Sequence, residues 1–192
     1  IKHNDLKPDK GRLLISEPFL SDAYFQRSVV LLVEHDESGS IGLVLNKKSN
    51  LTLNSFLPEF KNSPDIPIYI GGPVASNSLF YIHTLGDAII PECFKVADGL
   101  FFSGEFEAMK EYLLYSQDND LAHRVKFFLG YSGWDANQLK EEITQNSWLV
   151  SNHIDIYQIM QSSSDSSWIK AVDNLGSDYE LWKNFPKNPN LN

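Results

Sequence analysis

Residues 127–148 carry an apolar run, Phe127-Phe128-Leu129, that ends in two closely spaced glycines, Gly130 and Gly133, before Asp135 opens an amphipathic stretch. A strand, a turn and a helix in that order commit the chain to an architecture that mixes both element types. The same plan is where many α/β enzymes mount a nucleophile or hold a phosphate, and it equally builds rigid corners that do no chemistry. Asp135 with Gln138 three residues on has capping-box spacing, which predicts a helix over 135–146 burying Leu139 and Ile143.

The rest of the chain alternates unevenly. Arg12–Ile15, Ser28–Glu34 and Ile41–Asn46 read as strands. The last two of these flank a polar hairpin turn over residues 35–40. Asn50 or Thr52 is placed to cap a short helix through Phe60, with Leu53, Phe56 and Leu57 inward and with Pro58, Pro64 and Pro67 closing it. Ile68–Ile70 runs into a tight turn at Gly71-Gly72-Pro73. Further strands are predicted at Leu79–Thr84, Cys93–Ala97 and Leu100–Phe102, then a helix over Glu105–Ser116 and a strand at Val125–Leu129. Later come a strand at Trp148–Ser151, another at Ile154–Met160, a helix over Ser163–Leu175 and a helical turn at Tyr179–Trp182. Residues 1–10 and the tail with Pro186 and Pro189 are predicted to be loosely held. Strands in succession rule out a regular βαβ winding and predict an α+β fold with a mixed, largely antiparallel sheet.

Charge and composition narrow the function classes. The 192 residues carry a net charge of −9, which argues against broad electrostatic attraction to nucleic acid or to an anionic membrane. One cysteine, Cys93, excludes an intrachain disulfide and a Cys-rich zinc site, and its strand-like surroundings make it a small core residue. No segment reaches the roughly 18–20 apolar residues a membrane helix needs. No signal-peptide pattern opens the chain. The chain reads as soluble and cytoplasmic.

Candidate chemistry concentrates at the glycines. Gly130-Tyr131-Ser132-Gly133-Trp134 is one step from Gly-x-Ser-x-Gly, with its second glycine directly after the serine. A nucleophilic Ser132 would need His123 or His153 as base. Phosphate binding at the same corner is opposed by Asp135, and no Walker lysine or Gly-x-Gly-x-x-Gly occurs, so no cofactor is expected. Glu34-His35-Asp36-Glu37 reads as a solvated turn, and the five histidines lack the i, i+4 spacing of a helical metal site, so no metal is expected. His83 is read as a hydrogen-bonded strand residue. Arg27 with Asp22 either ties down a connection or offers a cation to an anionic ligand. Gly71 and Gly72 mark backbone angles that a Cβ resists, and such bare backbone can border a pocket.

Together these residues resemble the AlgH/YqgE-like family of bacterial proteins. The resemblance runs over residues 11–150. It is carried by Gly11–Pro18, Phe25–Leu32, Gly42–Asn46, Gly71–Val74, His83 and the 130–148 corner. It implies one domain over 1–192, its sheet curled into a barrel-like core with flanking helices, and residues 151–192 packed on it as an extension. It implies no catalytic mechanism; the family's functional label is regulatory, an influence on transcription. Relatives often carry alanine in place of Ser132, and usually glycine in place of Asn137. The expectation is therefore a non-enzymatic regulatory or interaction protein with a protein partner, not DNA, with self-association a third reading. The alternative is a small-ligand-binding protein, or a hydrolase-like enzyme, using Arg27, Gly71, Gly72, Gly130, Ser132, Gly133 and Trp134.

Overall fold

The apolar runs at 29–33 and 127–129 become strands covered on both faces. Val29, Leu31, Val33 and Phe128 point into one core; Val30 and Leu32 point into a second, and Phe127 and Leu129 into a third. Alternate residues of a strand face opposite sides, so an unbroken apolar run needs cover on each. The computed structural model describes residues 5–63 and 65–187; the expectations for residues 1–4, Pro64 and the tail beyond 187 lie outside these.

The chain order is β1 (Leu13–Ser16), β2 (Val29–Asp36), β3 (Gly39–Val44), β4 (Lys48–Thr52), α1 (Leu53–Phe56), a 3-10 turn (Pro58–Phe60) and β5 (Pro67–Ile70). Then come β6 (Val74–His83), β7 (Phe94–Ala97), β8 (Leu100–Phe102), α2 (Phe106–Tyr115), α3 (Leu121–Arg124) and β9 (Val125–Asp135). The last elements are α4 (Gln138–Thr144), β10 (Trp148–Ser151), α5 (Ile156–Gln161), α6 (Asp165–Leu175) and a 3-10 stretch (Ser177–Asn184).

These build an α+β fold around one large sheet, ordered β10-β1-β2-β3-β9-β6-β8-β7, with β5 also on β9 and β4 on β5. Every ladder is antiparallel except β5 with β9. The path is open: no ladder joins β10 to β7, so the expected barrel-like core is corrected to a sheet that does not close. Trp168, Val172, Tyr179 and Trp182 from the C-terminal segment pack into the same core as β1, β2 and β3. Trp168 is fully buried, and its indole N–H donates to the Ser16 carbonyl at 2.9 Å.

Three further expectations change. Residues 130–134 are strand, not turn, because β9 runs on to Asp135. The following helix starts later, with Asn137 at its N-cap in the left-handed region at φ +68°, a conformation asparagine tolerates in place of glycine. The Gln138 part of the expected capping box survives, since its Oε1 accepts the Asp135 N–H at 3.0 Å. Residues 156–161 form helix α5, not a strand, with the Asp155 carboxylate accepting the Gln158 N–H at 3.0 Å as its cap.

Candidate functional site

The two glycine motifs explain each other. A Cβ on Gly71 would stand 2.3 Å from the Gly130 carbonyl oxygen, one on Gly130 2.3 Å from the Gly72 oxygen, and one on Gly72 2.3 Å from the Tyr131 carbonyl. Here β9 changes neighbours. Residues 127–129 pair with β5, and beyond Gly130, at φ +70°, residues 132–135 pair with β3. Gly71 bridges the change. Its N–H donates to Leu129 at 2.8 Å, and its carbonyl accepts the Val44 N–H at 2.9 Å and the Ser132 hydroxyl at 3.0 Å.

Ser132 is therefore fully buried, with its hydroxyl proton committed to a backbone carbonyl. No histidine is among its hydrogen-bond partners, and a nucleophile needs both a base and access. The glycines pack backbone to backbone, and Gly71, Gly72 and Gly130 are all buried at their crossing. Gly133 and Trp134 line a shallow cleft of about 390 Å³ shared with Glu34, Asp36 and Asp135, an acidic rim that disfavours an anion. Trp134 donates its indole N–H to Glu142 Oε2 at 2.9 Å, and Trp148 donates to the same oxygen at 2.8 Å. The rings meet edge to face at 6.1 Å, so Trp134 anchors α4 to the sheet.

Arg27 takes part in neither cleft nor crossing. Its guanidinium lies 5.2 Å from the Trp168 ring centroid and donates to the Phe185 carbonyl at 2.7 Å, while Asp22 accepts the Tyr24 N–H at 2.8 Å. The pairing of Asp22 with Arg27 does not form among the described residues: Asp22 closes its own turn, and Arg27 ties the approach to β2 to the C-terminal segment. His83 is a buried strand residue as expected, with Nε2 donating to the Ser103 carbonyl at 2.9 Å. Burial holds its imidazole below the ordinary histidine value. Cys93 stands just before β7, half-buried, with its thiol pushed up by burial.

Another cleft lies between α5 and α6; of the residues weighed from the sequence it is lined by His153, considered there as a base for Ser132. Leu13, Val29, Leu45, Ile159 and Ala171 give it an apolar floor, and Ser162 lines it from the loop joining the two helices. Asp155, Gln158 and Tyr157 come from the α5 side, and Lys170 and Asn174 from α6. Beneath α5 sits Lys126, 2% exposed, its ammonium nitrogen donating to the Ile159 carbonyl at 3.0 Å and the Ser162 carbonyl at 2.5 Å. The same nitrogen lies 4.1 Å from the Tyr69 ring centroid. These are the last carbonyls of α5, the end of a helix that favours a cation. Burial holds the Lys126 amine well below the ordinary lysine range.

Tyr157 is 68% exposed and stacks on His123 with centroids 5.7 Å apart. With His123 it also lines a further cleft of about 280 Å³, completed by Thr84, Gly99, Arg124, Ile156 and Met160. Sequence reasoning missed this region because the isoleucines of 154–160 read as strand. The signal that was present is Asp155 followed three residues later by Gln158, with Ile156, Ile159 and Met160 at helical spacing. Among the described residues no group of His, Cys, Asp and Glu is placed to hold a metal, and no helix is long and apolar enough to cross a membrane.

Comparison with known proteins places this geometry. The AlgH-like family profile (DUF179) matches residues 13–180, which carries it through β10, α5 and α6. A UPF0301 protein of Parabacteroides distasonis is 55% identical over 192 residues, covering 100% of this chain and 96% of the relative. One from Bacteroides thetaiotaomicron is 45% identical, covering 100% and 95%. The crystal structure of protein DIP2367 from Corynebacterium diphtheriae shares the fold at a TM-score of 0.77 and 21% identity, over 96% of this chain and 95% of that one. The solution structure of the AlgH protein from Pseudomonas aeruginosa superposes with a TM-score of 0.72 at 27% identity, over 97% and 98% of the two chains. With the profile spanning most of the sheet and both C-terminal helices, the chain belongs to the AlgH-like family.

Proposed function

We propose that the protein works by reversible binding and not by covalent chemistry, as a regulatory protein that docks a protein partner on α5. The observation that carries this reading is Tyr157, an aromatic ring 68% exposed and standing between two clefts. Large amphipathic rings beside pockets are the anchors that dominate protein interfaces. The buried and committed Ser132 hydroxyl supports binding over hydrolysis. The net charge of −9 favours a protein over DNA, so an influence on transcription passes through that partner. A single cysteine, unpaired, accords with work in the reducing cytoplasm.

Replacing Tyr157 with a photo-crosslinking phenylalanine analogue tests the reading in cells. Tyr115, 78% exposed on α2, is the control position. A discrete protein adduct is expected at 157 and not at 115, and the adduct's partner should no longer bind purified Tyr157→Ala protein. Equal labelling at both positions, or none at 157, overturns the surface. Nanomolar, sequence-specific retardation of DNA at physiological salt overturns the choice of partner class.

A further inference from the structure

We infer that the α5–α6 cleft is a receptor site for a small aliphatic zwitterion, of the class of an α-amino acid with a short branched side chain. This goes beyond partner docking and does not depend on it. The cavity measures about 80 Å³. One water needs roughly 10–15 Å³ measured this way, so the space holds a short chain of atoms and not a cofactor-sized ring system. Its floor, from Leu13, Val29, Leu45, Ile159 and Ala171, rewards aliphatic carbon.

Within a polar lining that also includes His153, Gln158, Gln161 and Asn174, Asp155 and Lys170 carry opposite formal charges on different walls. Asp155 belongs to α5, where one carboxylate oxygen is spent on the Gln158 N–H and the other has no hydrogen-bond partner among the described residues. Lys170 belongs to α6 and forms no ion pair among the described residues. A ligand with one carboxylate and one ammonium matches both, and a singly charged ligand leaves one unmatched.

Ser162 supplies the second observation. It is 5% exposed, it lines the cavity, and its hydroxyl oxygen is out of solvent with no hydrogen-bond partner among the described residues. A buried hydroxyl without a partner is costly and rare, and a polar ligand atom in the cavity removes that cost. The two walls are joined by Asn174 donating to Gln158 at 3.4 Å, an exposed and long contact.

Isothermal titration of the full chain tests this with leucine and valine against isovalerate, isopentylamine and glycine. Leucine or valine should bind saturably, and each of the three analogues, lacking one feature, should bind more weakly. Lys170→Gln, at an exposed position, should weaken leucine binding about fivefold, and Ser162→Ala should also weaken it. Isovalerate or glycine binding as well as leucine, or no saturable binding at millimolar concentration, overturns the inference. Leucine binding unchanged by both substitutions overturns the location. A negative titration leaves the Tyr157 crosslink unaffected, because that experiment reads a protein contact of the exposed ring, which also lines the cleft, and not occupancy of the cavity.

Discussion

Gly72 tolerates no side chain, for a reason that lies in Tyr131 and not in its own turn. A Cβ there would stand 2.3 Å from the Tyr131 carbonyl, and the residue sits at φ +156°. Backbone cannot yield as a flexible side chain can, so Gly72→Ala should cost more than about 3 kcal/mol. Urea unfolding measures it; a loss below about 1 kcal/mol would mean that the crossing relaxes freely. Each glycine pair was visible in the sequence as bare backbone. That they face each other was not, because local pattern carries no record of which distant segment arrives. The surroundings of Ser132 were hidden for the same cause: its burial and its bond to Gly71 exist only once the two segments meet. At Asn137 the glycine of relatives hinted at a special backbone, but the predicted helix from Asp135 hid the left-handed N-cap it forms at φ +68°.

Among elements, α5 depends on what lies beneath it. Six residues make a helix too short to persist alone, so its order comes from the Asp155 cap at one end and Lys126 at the other. The folded-state value of the Lys126 amine lies below the ordinary 10.5 that the unfolded chain regains. Between the two values the unfolded state holds the extra proton, so stability rises with pH up to about 10.5 and falls as pH drops towards the folded value. Lys126→Met should flatten that rise and quicken amide exchange in α5, read by urea melts across pH and by hydrogen exchange. An undiminished rise would assign it to another group. Strands β1, β2, β3 and β6 were recognised from their apolar runs and turn residues, with ends shifted by a few positions. Helix α5 was not, because isoleucine at 154, 156 and 159 fits either element, and packing over Lys126 and α6 decided between them. β9 was read too short because glycine normally punctuates, whereas here it lets a strand change neighbours.

For the whole molecule, the mixture of elements was readable but the order of strands was not. The expected closure failed for a physical reason: curvature alone does not join edges, and β10 and β7 share no ladder. Protection should follow that order. Amides of β9, held between β5 and β6 and then beside β3, should exchange slowest, and those of β7, an edge strand, among the fastest. Exchange from β7 slower than from β9 would mean that this edge is covered in solution, as self-association would do.

The position of β9 also shapes how the protein is made. β3, β5 and β6 all pair with a strand that begins at Val125. A ribosome emits roughly 5–20 residues each second. For several seconds the growing chain therefore holds three strands whose common neighbour has not yet been translated. The nascent protein must keep those edges apart until residue 135 has left the exit tunnel, and the sheet is completed late and in one region.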